Sequence, residues 1–196
     1  MAKTLDLYLH DLEVHHGVDP RLTALINHLA GTCKEISFKV SQGALAGVLG
    51  SAGSENVQGE TQKKLDIIAN DIMCRACTES GLVSGVASEE MDHALRVPED
   101  CEVGPYLVLF DPLDGSSNID INVSIGTIFS ILPAGEPHRD VRDEDFLQPG
   151  RKQLAAGYVI YGPQTQLVFT LGFGTTLFTL DIGTGNFYQT VDKLQI

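Results

Sequence analysis

What this chain has little of narrows it first. Of its 196 residues, thirteen are Lys or Arg against twenty-six Asp or Glu, a formal charge of -13. So acidic a chain excludes nucleic acid and anionic membrane surfaces as default partners. It would also repel a phosphorylated substrate unless cations intervened, so a phosphate-handling function here has to be a metal-dependent one. No apolar run is long enough to span a bilayer, and residues 1–11 lack the basic, apolar and small-residue sections of a secretory leader. The chain therefore reads as cytoplasmic. Its four cysteines, Cys33, Cys74, Cys77 and Cys101, are too few and scattered for a disulfide scaffold. Cys74 and Cys77 form a CxxC inside an amphipathic helical pattern with no second pair to complete a zinc site, so they read as core or half-buried thiols.

What is present suffices for one sizeable core, with 43% hydrophobic residues. From Pro20 onward Leu22, Leu25, Ile26, Leu29, Cys33, Ile36 and Val40 recur at spacings of three and four, which predicts one face of a long helix. Pro20 suits its first turn. Residues 42–59, rich in Gly, Ala and Ser, read as a connection with short ordered pieces. A second helix is predicted over residues 61–80, with Leu65, Ile68, Ala69, Ile72 and Ala76 inward and Gly81 as its stop. Strands are then predicted over 106–110, 123–132, 154–161, 166–171 and 175–180, with a last pair ending at 186–190. Residues 134–149, with two prolines among Asp, Glu and Arg, read as a solvated excursion. Two long helices ahead of many strands give an α+β fold, a largely antiparallel sheet covered by helices on one face.

The chemistry concentrates in Asp111-Pro112-Leu113-Asp114-Gly115-Ser116-Ser117-Asn118-Ile119-Asp120, directly after the apolar strand 106–110. Two acids three residues apart at a strand's end, with a proline between them, present both side chains at one place. Asp111, Asp114 and the Leu113 carbonyl are hard oxygen donors of the kind Mg²⁺ takes. Gly115, Ser116 and Ser117 follow with small side chains, backbone N–H groups and hydroxyls that suit a phosphate. An Asp-Pro/Asp-Gly turn without function is the competing reading of this string. Ser88-Glu89-Glu90 is a second strand tip, whose adjacent glutamates point different ways and can divide the roles of ligand and base. Asp66 and Glu60, alone, would be an exposed helical charge and a favourable helix-dipole contact. Converging, Glu60, Asp66, Glu89, Glu90, Asp111 and Asp114 would repel one another prohibitively without bound cations or protonation.

The string 111–120, the Ser88-Glu89-Glu90 triplet and Gly59-Glu60-Thr61-Gln62-Lys63-Lys64-Leu65-Asp66 together resemble the fructose-1,6-bisphosphatase family, and the resemblance covers nearly the whole chain from the first long helix. It implies a layered sandwich of helices and sheets, of which residues 1–196 would be the amino-terminal metal- and phosphate-binding domain. The sugar-binding carboxy-terminal domain is expected to lie outside this chain, whose last strand pair shows no cover. The resemblance further implies Mg²⁺, two or more per site with Mn²⁺ able to substitute, held by Glu60, Glu89, Asp111, Asp114 and the Leu113 carbonyl. Asp114, Gly115, Ser116 and Ser117 would hold the sugar 1-phosphate, and Asp66 and Glu90 would position and deprotonate the attacking water. The implied substrate is fructose 1,6-bisphosphate and the implied assembly a homotetramer. Sedoheptulose 1,7-bisphosphate hydrolysis and a non-catalytic metal-binding or oligomerisation role are the alternatives. AMP regulation is doubtful. Where AMP-inhibited members carry a Thr-Gly-Glu-hydrophobe-Thr segment, this sequence has Val18-Asp19-Pro20-Arg21-Leu22-Thr23, and Pro105 and Pro133 stand at the positions of a lysine and an arginine.

Overall fold

The computed structural model describes residues 2–46, 51–55, 61–137 and 140–195. Three helices of ordinary length form: α1 (Leu5–His16), α2 (Pro20–Gln42) and α3 (Lys64–Glu79). Among the described residues ten strands follow one another as β1 (Ser51–Glu55), β2 (Thr61–Lys63), β3 (Val83–Ser88), β4 (Leu95–Arg96), β5 (Tyr106–Asp114), β6 (Ile125–Pro133), β7 (Ala155–Tyr161), β8 (Thr165–Thr170), β9 (Thr175–Asp181) and β10 (Asn186–Val191). β1 and β2 pair with each other. The other eight make one sheet in the order β10-β9-β8-β7-β6-β5-β3-β4. Its neighbours are antiparallel except β3 and β5. The expected α+β class and largely antiparallel sheet are both found.

The long-helix expectations hold for a physical reason. Asp19 caps α2 through its side chain with Pro20 in the first turn, and Leu22, Leu25, Ile26, Leu29, Cys33 and Ile36 are all buried. These side chains join Leu65, Ala69, Met73 and Cys77 of α3 and the inward residues Val86, Val108, Phe110, Phe129, Val159 and Phe169 in one core. Residues 61–63, expected in the second helix, are strand β2 instead. The helix starts where Asp66 can accept the Lys63 backbone N–H at 2.7 Å. The four cysteines are free thiols and all but Cys101 are buried, as core residues.

Two further stretches depart from expectation. The sequence reading assigned nothing to α1, yet Leu5, Leu9 and Leu12 repeat at four and three on its buried face, between a Thr4 cap and Gly17, whose φ of 66° suits a residue without Cβ. Backbone bonding between Lys3 and Gln189, and a bridge from Thr4 to Tyr188, cover part of the free edge of β10. The 134–149 excursion is also less solvated than expected. Val141 and Phe146, the latter in a one-turn helix α4 (Asp143–Phe146), bury against Leu107 and Leu132 on the sheet face away from the long helices. Among the described residues no helix is long and apolar enough to cross a membrane.

Candidate metal and phosphate site

β5 does not stop at Phe110; it runs on through Asp114, and the reason is a bulge. Asp111 stands opposite Ile128 and Asp114 opposite Gly126, three steps on β5 against two on β6. The extra residue falls at Pro112-Leu113. A proline has no N–H to give a ladder, so a bulge is where a central strand tolerates one, and a bulge re-aims the side chains around it. The Pro112–Leu113 peptide is held at both ends: its carbonyl accepts from Thr127 Oγ1 at 2.8 Å and its N–H donates to Asp111 Oδ1 at 2.9 Å. The Leu113 side chain is buried in the core, so any ligand role of this residue belongs to its main chain. Asp114, at the tip, is exposed.

Beyond it Gly115, at φ 80°, turns the chain left-handed, where a side chain would be strained. A 3₁₀ turn, Ser116–Ile121, follows, with Asn118 N–H on the Gly115 carbonyl at 2.8 Å. Ser116 is half-buried and Ser117 exposed. Lys63 Nζ meets Asp120 Oδ2 at 2.8 Å, tying this turn to the start of α3.

The acids approach from three elements. Parallel pairing sets Ser88 beside Phe110, and Glu89 N–H donates to the Phe110 carbonyl at 3.0 Å, so Glu89 stands next to Asp111. Both border a groove of about 710 Å³ on the sheet face away from the long helices. The charge of Glu90 acts on both Asp66 and Asp111. The Glu90 N–H donates to Ser88 Oγ at 3.2 Å, and Ser88 in turn donates to Asn70 Oδ1 at 2.6 Å, fastening this tip to α3. The sequence reading passed over Asn70, whose signal is its place one helical turn after Asp66, on the same face.

Burial pushes the Asp66 carboxyl up to about 6; the Lys63 N–H pulls the other way, the charge of Glu90 raises it further, and Ser116 and Lys63 lower it. Asp111 is also pushed up to about 6, first by burial, against the pull of the Leu113 N–H, with Asp114, Glu90 and Asp66 adding repulsion. Glu90 thus lies close enough to raise both Asp66 and Asp111, and Asp114 and Asp66 close enough to raise Asp111. Glu60 lies outside the described residues, and among the described residues no three His, Cys, Asp or Glu side chains close around one point as a finished cage. The donor set nevertheless fits a hard divalent cation. Its oxygens are carboxylates and a carbonyl, its carboxyls repel one another, and Asp66 Oδ1 is buried with no hydrogen-bond partner.

The fructose-1,6-bisphosphatase amino-terminal domain model matches residues 9–192. The chain belongs to the fructose-1,6-bisphosphatase family. The holo-form crystal structure of Leishmania major fructose-1,6-bisphosphatase is similar to it over 100% of this chain and 60% of that one, at 32% identity and a TM-score of 0.89. The chain therefore spans about three-fifths of the length of that fructose-1,6-bisphosphatase. The fold and the family expected from the three motifs are those found.

Proposed function

We propose that the intact protein hydrolyses fructose 1,6-bisphosphate to fructose 6-phosphate and phosphate in a Mg²⁺-dependent reaction. The observation that carries this reading is the buried Asp66, its Oδ1 without a partner, facing the acids of the Asp111–Asp114 bulge in a chain of this family. Glu89, Asp111, Asp114 and the Leu113 carbonyl would hold Mg²⁺, with Glu60 as a further ligand. When bound, divalent cations screen these carboxylates and stabilise developing charge on the phosphoryl group and leaving alkoxide. The backbone N–H groups and hydroxyls of Gly115, Ser116 and Ser117, with Asp114, hold the 1-phosphate. Asp66 and Glu90 position the attacking water and take its proton. A carboxyl raised to about 6 is a stronger base than an ordinary aspartate and remains ionised near neutral pH. A homotetramer is the assembly that the family resemblance suggests.

The test is phosphate release from fructose 1,6-bisphosphate by the intact protein, with Mg²⁺ and then with a chelator. Release that needs the cation supports the proposal; no release with either Mg²⁺ or Mn²⁺ refutes it. The 196-residue chain alone is expected to turn over little or not at all, because orientation of the sugar by residues outside it is then lost.

Weak response to AMP is a further expected result. Arg21, the cation that could replace missing phosphate contacts, is already engaged: its Nη2 meets Asp19 Oδ2 at 2.7 Å and its Nε both Asp19 oxygens at 3.2 Å. The Thr23 hydroxyl is taken up by Glu13 and the Pro20 carbonyl. Pro105 and Pro133 offer no donor at all. Titration of the intact enzyme with AMP should leave turnover nearly unchanged at micromolar nucleotide; strong inhibition there would mean that other residues form an effector site.

A further inference from the structure

β6 sends Ile125, Phe129 and Ile131 into the core, and between Ile125 and Phe129 on that same apolar face stands Thr127, 0% exposed. A hydroxyl in such a row is costly unless its bonds are made. Here they are, and they can be given a direction. Thr127 Oγ1 lies 2.8 Å from the Pro112 carbonyl and 2.7 Å from Tyr161 OH. A carbonyl only accepts, so the single Thr127 proton goes to Pro112, and Thr127 must accept from Tyr161. The Cys33 thiol, from α2, lies beside both hydroxyls. Burial pushes Cys33 up to about 11 and Tyr161 well above its ordinary value, so every member of the row is neutral at physiological pH. Its far end is the bulge that carries the site.

We propose that Thr127 is a positioning residue for the Asp111 carboxylate, acting through the Pro112–Leu113 peptide and oriented in turn by Tyr161. This rests on the reading of Asp111 and Asp114 as metal ligands. The peptide is a rigid plane, so its carbonyl and its N–H cannot turn independently. Thr127 holds the carbonyl at one edge, and at the other the Leu113 N–H holds Asp111 Oδ1. Without the Thr127 hydroxyl the plane is free to rotate about its neighbouring bonds, and the Asp111 oxygen loses its fixed donor. The bulge itself cannot supply the restraint, since its extra residue is left out of the ladder with β6. Tyr161 reaches Thr127 across the β6–β7 pair, where Thr127 stands opposite Val159, two residues away on the same face.

The test measures Mn²⁺ affinity of the intact protein by calorimetry or electron paramagnetic resonance, alongside its thermal midpoint. Thr127→Val keeps the branched shape and removes the donor. It is expected to weaken Mn²⁺ binding about tenfold or more, the loss typical of groups that orient metal ligands. Thr127→Ser, which restores a hydroxyl, should recover most of that affinity even if its lost methyl group lowers the midpoint. A merely structural role would do the reverse, with the midpoint falling in Thr127→Val and Mn²⁺ affinity unmoved, and that result would overturn the proposal. If Thr127→Val does not fold, Tyr161→Phe decides: a weaker Mn²⁺ affinity supports the chain of donors, an unchanged one refutes it. Asp114→Asn is measured in parallel. If it leaves Mn²⁺ affinity intact, the metal reading itself fails; if it abolishes binding while Thr127→Val changes nothing, only the positioning role fails.

Discussion

In the intact protein, Asp114→Ala is expected to cut Mg²⁺-dependent turnover by more than about a hundredfold, beyond the loss seen when a group one step removed from a metal is changed. Asp114 stands exposed at the tip of the bulged strand, so truncation opens no cavity in the core. Its charge is one of those that push the Asp111 carboxyl upward. Removing it relieves repulsion in the metal-free protein, and the thermal midpoint in chelator should hold steady or rise slightly. The two readouts thus move in different directions, which general misfolding would not produce. Kinetics unchanged at limiting Mg²⁺ would remove Asp114 from the ligand set.

The second large effect is on stability against pH. Asp66 and Asp111 are both raised to about 6 in the folded protein, whereas an unfolded aspartate titrates near 3.9. Between about pH 4 and 6 the folded state therefore holds more protons than the unfolded state, and stability falls as pH rises through that window. For Asp66, 2% exposed, the penalty above the window is roughly 3 kcal/mol; Asp111, less buried, contributes less. His93 acts in the same direction, since hydrogen bonding to Asp143 raises it and that contribution is lost as pH climbs. Comparing wild type with Asp66→Asn and Asp111→Asn separates the two sources. In chelator the wild-type midpoint should drop between about pH 4 and 6, and each variant should drop less. Saturating Mg²⁺ should restore the wild type at pH 7, by about 2.7 kcal/mol at a hundred times its dissociation constant. A wild-type midpoint flat over this range and indifferent to Mg²⁺ would show that these carboxyls are not raised in the folded protein and meet no cation.

Much of this architecture is legible from residue order because it obeys local rules. The three-and-four spacing of α2 and the β-branched runs of β6 to β9 are buried where their periods place them. Helix α1 is equally legible by the same rule, from Leu5, Leu9 and Leu12 between Thr4 and Gly17. The limits of α3 were harder to read, because Thr61–Lys63 pairs with Ser51–Glu55, a contact that no local pattern announces. Val141 and Phe146 were hidden by the charged residues around them, and only the sheet face that receives them explains their burial.

At the site, Asp111, Asp114, Glu90 and Asp66 were all identifiable from motif strings, and the fold brings these four together. The parts that hold them were not. Asn70 anchors the glutamate tip and Thr127 anchors the bulge, yet each is an ordinary polar residue whose partner is distant in sequence. The bulge was likewise invisible in the string Asp-Pro-Leu-Asp, since it exists only in the register with β6.

The central claim is that this carboxylate cluster is a divalent-cation site, and the most direct measurement is anomalous diffraction from crystals of the intact protein soaked in Mn²⁺. The account predicts an anomalous peak within coordination distance, about 2.1 Å, of Asp111, Asp114 and the Leu113 carbonyl oxygen. A map with no peak at these groups, from crystals in which the intact protein is shown to be active, would contradict it.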